Sequence, residues 1–145
     1  RGDWARAEEM LRKNVEVNLA IEKDRGAQNP VLVKALGEST EKSNARQLEI
    51  ARQYETLGKM YYIQQKWSPA EEMFQNSLKL YQTLEQQENM AVQYGNLGNV
   101  YRQLGKVPQA KEMYIKSLEV FQALKKPAEA AKVQAFLEEL EKPVK

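Results

Sequence analysis

The sequence repeats itself at a fixed offset of 40 residues. Leu57-Gly58 recurs as Leu97-Gly98, and the matches continue on both sides of that pair. They join Ala51 to Ala91, Gln53 to Gln93, Tyr54 to Tyr94, Tyr61 to Tyr101, Lys66 to Lys106, Ala70 to Ala110, Ser77-Leu78 to Ser117-Leu118 and Leu84 to Leu124. Self-similarity with a period of roughly 20 to 50 residues is typical of stacked structural repeats. The chain is therefore predicted to be an array of similar units, each packed on its neighbours.

Each unit has the spacing of two amphipathic helices. Apolar and small residues recur at steps of three and four residues, which places them on one face of an α-helix. No stretch alternates between apolar and polar residues as a strand does. The first helix is marked by Tyr54, Leu57, Gly58 and Tyr61, and the second by Ala70, Met73, Phe74, Ser77 and Leu78. The predicted fold class is all-α, an α-solenoid of antiparallel helix pairs.

A turn is predicted between the two helices of each unit. In Ser68-Pro69-Ala70-Glu71, Ser68 is expected to cap the free amides of the second helix, with the proline in its first turn. Gly105-Lys106-Val107-Pro108 is the corresponding turn one unit later.

These residues resemble the tetratricopeptide repeat (TPR) family, in particular its long 40-residue form, as in kinesin light chains, Pins/LGN-type scaffolds and bacterial arrays. The pattern of that family can be followed through Tyr94, Leu97-Gly98, Tyr101, Ala110, Tyr114 and Ser117, and again 40 residues earlier. The resemblance implies a right-handed superhelix. Independently of it, Gly58 and Gly98 each cost about 1 kcal/mol in a helix interior, so close packing must offset that loss.

The repeat register divides the chain as a single domain. Trp4, Ala7 and Met10 align with Trp67, Ala70 and Met73, which predicts a half repeat at 2–21 with both tryptophans as core anchors. An insertion at 25–48, full repeats at 45–84 and 86–124, and a capping helix at 127–141 complete the division. The cap is expected because polar residues stand where a further helix would pack: Gln134, Glu138 and Glu141. Because the sequence opens with Arg1, we expect it to be part of a longer protein.

The insertion allows three structures. Residues 25–30 are predicted to form a loop, followed by a short degenerate helix at 31–37 and an exposed polar loop at 38–44. The alternatives are one long helix from Val31 into Tyr62, or disorder. The helix at 3–20 has no partner helix before it, so part of its apolar stripe is expected to be uncovered, namely Leu11, Val15 and Leu19. We expect the insertion to fold back over that stripe through Val31, Leu32 and Leu36.

Composition excludes several classes of function. Without Cys or His, the chain has no thiolate nucleophile, no imidazole base and no Cys- or His-ligated metal site. The formal net charge is only +2 with both signs interspersed, which argues against nucleic-acid or membrane binding by charge. Paired glutamates lie on solvated helix faces, and no phosphate loop or calcium loop is present. We predict a cytoplasmic protein that is not an enzyme and has no catalytic residue, cofactor or metal.

The remaining candidate is the concave side of the array, formed by the first helix of each pair. Helical spacing brings one face of these helices to that side. Its predicted groove residues are Arg52, Glu55, Lys59, Tyr62, Asn96, Asn99, Arg102 and Lys132, with Val92, Gly95, Ala135 and Glu139 beside them. The resemblance implies that such a groove binds a peptide or partner helix, with asparagines on its backbone. It does not match the two-carboxylate clamp of chaperone-binding members, since only Asn99 of five clamp positions agrees.

The predicted function is protein–protein interaction, as a scaffold or adaptor that binds a partner peptide or helix, acidic or C-terminal, in this groove. Two alternatives remain open. The array is then either a regulatory or docking segment of a larger enzyme or signalling protein, or an oligomerisation module that self-associates through its incomplete N-terminal repeat.

Overall fold

The computed structural model describes residues 2–27 and 40–142, and these ranges contain six α-helices and no strand. The helices are α1 (Gly2–Ala27), α2 (Thr40–Ile63), α3 (Trp67–Thr83), α4 (Gln87–Gln103), α5 (Val107–Ala123) and α6 (Pro127–Glu141). From α2 onward each helix packs on the next one along the chain, and α1 packs on α2. The contacts are most extensive within the pairs α2/α3 and α4/α5. The prediction of an all-α solenoid is confirmed.

The two helices of each pair approach closely at a glycine. A Cβ atom added to Gly58 would lie 2.5 Å from Cε1 of Phe74, and one on Gly98 would lie 2.5 Å from Cε1 of Tyr114. No side chain fits there, because both rings are buried. A serine in each second helix also donates a hydrogen bond to a carbonyl of the first: Ser77 to Ala51 at 2.8 Å and Ser117 to Ala91 at 2.7 Å. The same two contacts therefore hold both repeats.

Every turn between consecutive helices from α2 onward ends its helix in the same way. The residue after the cap has a positive φ, namely Gln65, Glu85, Gly105 and Lys125. The next amide bonds back to the carbonyl five residues earlier, as in Lys66 to Tyr61 at 2.9 Å. This is the Schellman motif. The predicted Ser68 cap is wrong: α3 begins at Trp67, and the cap residue Lys66 makes no side-chain capping bond.

The ends of the insertion are more helical than predicted. α1 continues to Ala27, so the loop predicted at 25–30 is wrong up to residue 27. α2 begins at Thr40, so residues 40–44 form its first turns and are not an exposed loop. Glu41, Lys42 and Asn44 are exposed on this helix, and Ser43 donates a hydrogen bond to Glu22 of α1 at 3.1 Å. The polarity of the stretch alone did not distinguish such a helix from a loop. The predicted helix at 31–37, and the packing of Val31, Leu32 and Leu36, lie outside the described residues.

The N-terminal helix is partly integrated into the core. Val15 is buried and packs in one cluster with Ile50 and Leu57, so its predicted exposure is wrong. Leu11 is half-buried against the same cluster, whereas Leu19 is exposed as predicted. The two tryptophans differ. Trp67 makes an edge contact with Tyr62, with ring centroids 5.1 Å apart, but Trp4 is 45% exposed and is not a core anchor.

A polar contact recurs at each junction between repeats. The hydroxyl of Tyr61 donates to Glu8 of α1 at 2.7 Å, and that of Tyr101 donates to Glu71 of α3 at 2.9 Å. At the third junction the equivalent residues are Glu141 and Lys111, which form an ion pair at 3.0 Å. We call these three contacts the junction contacts. The face of α6 that carries Gln134, Glu138 and Glu141 is exposed.

Candidate groove and its two hollows

The first helices of successive pairs, α2, α4 and α6, line a surface with two neighbouring hollows. The first, of about 210 Å³, is named the Tyr62 hollow; it is lined by Lys59, Tyr62, Ile63, Phe74, Asn96 and Asn99. The second, of about 230 Å³, is named the Gly95 hollow. Its lining includes Gly95, Ser117, Phe121, Val133, Phe136 and Lys132, and it also includes Asn96 and Asn99. The two asparagines therefore stand between the hollows.

The structure brings most of the predicted groove residues to these hollows. Lys59, Tyr62, Asn96, Asn99 and Lys132 line one or both of them. Two others form ion pairs: Glu55 lies 2.5 Å from Lys59, and Arg102 lies 2.8 Å from Glu139 of α6, although neither Arg102 nor Glu139 lines a hollow. Arg52 lines neither hollow; its nearest charged partner is Glu49, at 4.0 Å.

Asn99 is held in one orientation by a residue that the sequence analysis did not select. The hydroxyl of Tyr114 donates a hydrogen bond to Asn99 Oδ1 at 2.5 Å. Burial raises the pKa of Tyr114 to about 12, so this hydroxyl remains a donor at neutral pH. With Oδ1 engaged, Asn99 Nδ2 keeps its donors, and no described residue accepts from it. The sequence signal for this contact is that two residues change from the first repeat to the second, Phe74 to Tyr114 and Lys59 to Asn99.

The charges of the groove are less free than the sequence suggested. Glu55 neutralises Lys59, and Glu139 neutralises Arg102 while raising the pKa of that guanidinium through a hydrogen bond. Lys132 has no ion-pair partner among the described residues. The unpaired positive charge of the groove thus lies on α6, at the rim of the Gly95 hollow.

A larger hollow, of about 570 Å³, lies elsewhere, between α5 and α6. Its lining includes Leu118, Gln122, Ala130 and Gln134. One repeat earlier, Tyr94 stands at the position of Gln134 and accepts a hydrogen bond from Gln82 at 3.3 Å. The shorter Gln134 leaves that space open, so the hollow reflects the loss of one packing side chain at the last helix rather than convergent polar groups.

In residues 2–27 and 40–142, no three acidic side chains are grouped so that they could hold a metal ion. None of the helices described there is both long and apolar enough to span a bilayer.

The fold and the groove define a helical-repeat solenoid of the kind that presents an extended concave surface. The family described as tetratricopeptide repeat matches residues 49–123, which is just over half of the chain. The chain belongs to that family. No curated protein matches it.

A solved structure supports the same fold. BtubC (BKLC) from P. vanneervenii superimposes with a TM-score of 0.57 at 20% identity over 94% of this chain. The match spans 65% of the length of BtubC, so the chain corresponds to only part of that protein. Proteins of the tetratricopeptide repeat family are in general non-catalytic and bind other proteins or peptides.

Proposed function

We propose that the groove of α2, α4 and α6 binds an extended segment of a partner protein. The observation that carries the proposal is the fixed amide of Asn99. Its Oδ1 is occupied by Tyr114 while its Nδ2 is unused, and it stands between two hollows. A donor in that position fits the backbone carbonyl of a ligand, and the hollows on its two sides fit alternate side chains of that ligand.

The geometry favours a peptide over a compact small molecule. Each hollow is smaller than the roughly 300 Å³ at the lower end of small-molecule sites. Side chains of an extended chain emerge on alternate sides at about 3.3 Å per residue, which suits two small hollows better than one large cavity does. The unpaired Lys132 favours a carboxylate on the ligand, either an acidic side chain or a C-terminus.

The test uses random 12-residue peptides displayed on phage and selected on the wild-type chain. The selected peptide is then titrated by fluorescence anisotropy. Asn99→Ala is expected to weaken binding about fivefold to tenfold, the value of one hydrogen bond. Tyr114→Phe removes the hydroxyl that holds Asn99 but leaves the amide of Asn99 in place, so it should weaken binding less than Asn99→Ala does.

The matched control is Lys116→Ala on the exposed side of α5, since Lys116 lines neither hollow. It should leave the affinity unchanged. A peptide that binds Asn99→Ala as well as wild type but is lost on Lys116→Ala would place recognition on the outer helices and contradict the proposal.

A second candidate is self-association through α1, which would add to peptide binding rather than replace it. Met10 is 66% and Val17 58% exposed, and their spacing of seven residues places them on one face of that helix. Sedimentation velocity at several concentrations tests it, with the double variant Met10→Lys and Val17→Lys as the comparison. A mass that stays that of the monomer at all concentrations would contradict self-association.

A cytoplasmic location and a role as a scaffold, or as a docking segment of a larger protein, complete this proposal.

A further inference from the structure

The Gly95 hollow lies where the second repeat has a glycine and the first repeat has a glutamate. In the first repeat the equivalent residue is Glu55, whose carboxylate is bonded by Lys59 and by the hydroxyl of Tyr81 at 3.3 Å. In the second repeat the three residues at these positions are Gly95, Asn99 and Phe121. No side chain of the second repeat therefore fills the space that Glu55 fills in the first.

The space above Gly95 is open and its floor is apolar. A Cβ atom on Gly95 would meet only Ser117 Oγ, at the ordinary contact distance of 3.7 Å. The floor and wall include Phe121 and Val133, both buried, and the half-buried Phe136. Unlike Gly58 and Gly98, this glycine is not required by helix packing. What it provides is room on the groove side.

We infer that the Gly95 hollow receives one apolar side chain of the bound segment, and that Lys132 pairs with a carboxylate next to it. This inference rests on the proposed function and specifies its ligand. The apolar floor excludes the carboxylate itself, because a charge there would lose its hydration without a partner. The carboxylate goes to Lys132 because the ammonium and guanidinium groups of Lys59 and Arg102 are already paired.

A further charge limits the acidity of the ligand. Glu129 lies at the same hollow as Lys132, one turn earlier on α6. It repels a second carboxylate, so the ligand carries an apolar residue with a single acidic neighbour rather than an acidic run. The ligand class is thus an extended peptide with an apolar anchor beside one Asp or Glu.

The experiment repeats the phage selection on wild type, Gly95→Leu and Lys132→Glu. Wild type is expected to enrich an apolar residue at a fixed spacing from Asp or Glu. Gly95→Leu fills the hollow and should lose the apolar preference, with at least a tenfold loss of affinity for the wild-type peptide. Gly95→Ala fills less of the space and should lose less affinity than Gly95→Leu, and Lys116→Ala, which lies outside both hollows, is the control that should bind like wild type. Lys132→Glu should replace the acidic preference by a basic one.

Two outcomes overturn the inference in distinguishable ways. If the peptide binds Gly95→Leu as tightly as wild type but is lost on Asn99→Ala, the groove is correct and the hollow is not the anchor site. If selection yields no peptide, or only peptides insensitive to Asn99→Ala, the proposed function fails and the inference with it. If peptides selected on Lys132→Glu still carry the acidic residue, Lys132 does not pair with the carboxylate of the ligand. Thermal melts of each variant show that binding losses are not losses of fold.

Discussion

The two full repeats are alike between their helices and different on their groove side. Both place a glycine against an aromatic ring and a serine against a carbonyl, at the same positions and with nearly the same distances. On the groove side, Glu55 and Lys59 of the first repeat are replaced by Gly95 and Asn99 of the second. Packing thus restricts the residues between helices to a few sizes, whereas the groove residues vary within an unchanged backbone and can determine the ligand.

The aromatic residues of the second helix show how this difference is achieved. The first repeat has Phe74 and Tyr81, and the second has Tyr114 and Phe121, so the hydroxyl occupies the other position. Tyr81 reaches the carboxylate of Glu55, and Tyr114 reaches the amide of Asn99. Moving one oxygen atom between two buried rings therefore changes which groove residue is held.

The largest expected effect separates Gly58 and Gly98, which pack against a ring, from Gly95, which lines the groove. Gly58→Leu and Gly98→Leu should each lower the free energy of unfolding by about 3 kcal/mol, since they overpack a buried ring. Gly95→Ala should raise it by up to about 1 kcal/mol, because alanine is the better helix former and meets nothing closer than 3.7 Å. Urea unfolding measures all three. A loss in Gly95→Ala similar to that in the packing variants would remove the distinction.

The next effect is a loss of stability at alkaline pH from both repeats. Burial raises the pKa of Tyr81 and of Tyr114 to about 12, against about 10 in an unfolded chain. The stability that these neutral rings provide is complete below pH 10 and falls as the pH rises to 12, on the order of 2 kcal/mol for each tyrosine.

The single variants Tyr81→Phe and Tyr114→Phe should each flatten the pH dependence of the free energy of unfolding between pH 10 and 12. Phenylalanine already occupies the equivalent position in the other repeat, so both variants should fold. An unchanged slope in either variant would mean that this tyrosine ionises normally in the folded protein.

The smallest effect distinguishes the junction contacts. Tyr101→Phe removes the bond to Glu71 and should cost about 1 kcal/mol at any salt concentration. Lys111→Met removes the exposed ion pair with Glu141 and should cost less than about 0.5 kcal/mol, and nothing in 1 M salt. Unfolding at low and high salt compares them. If the loss of stability in Tyr101→Phe also depended on salt, the tyrosine contact would behave like the ion pair and the distinction between them would fail.

The fold could be predicted from the sequence because the same residues recur at one offset. Gly58 and Gly98 in matching places identified the close helix contact before any coordinates. The predicted cap at Ser68 was wrong because the Schellman turn before α3 fixes where that helix begins and leaves Lys66 as the cap. The burial of Val15 was missed because it depends on α2, which the 40-residue register does not relate to α1.

The candidate groove was predicted as a set of residues and not as a set of contacts. Of the residues that helical spacing assigned to it, Lys59, Asn99 and Lys132 line the hollows. The same spacing could not reveal that Glu55 and Glu139 neutralise two of its cations, because ion pairs depend on rotamers and on distances between helices. Tyr114 was missed because its ring belongs to the core and only its hydroxyl reaches the groove.

The four turns from α2 onward are alike in their backbone hydrogen bonds. The hydrogen bond from the residue before each new helix to the carbonyl five residues earlier measures 2.9 Å in all of them. Two of these turns lie inside repeats and two lie between repeats, so the backbone does not mark where a repeat begins. A duplication of 40 residues that started at α3 or at α4 would rejoin the chain through an identical turn. Such an array can lengthen by recombination at more than one point of its gene without a new connection having to evolve.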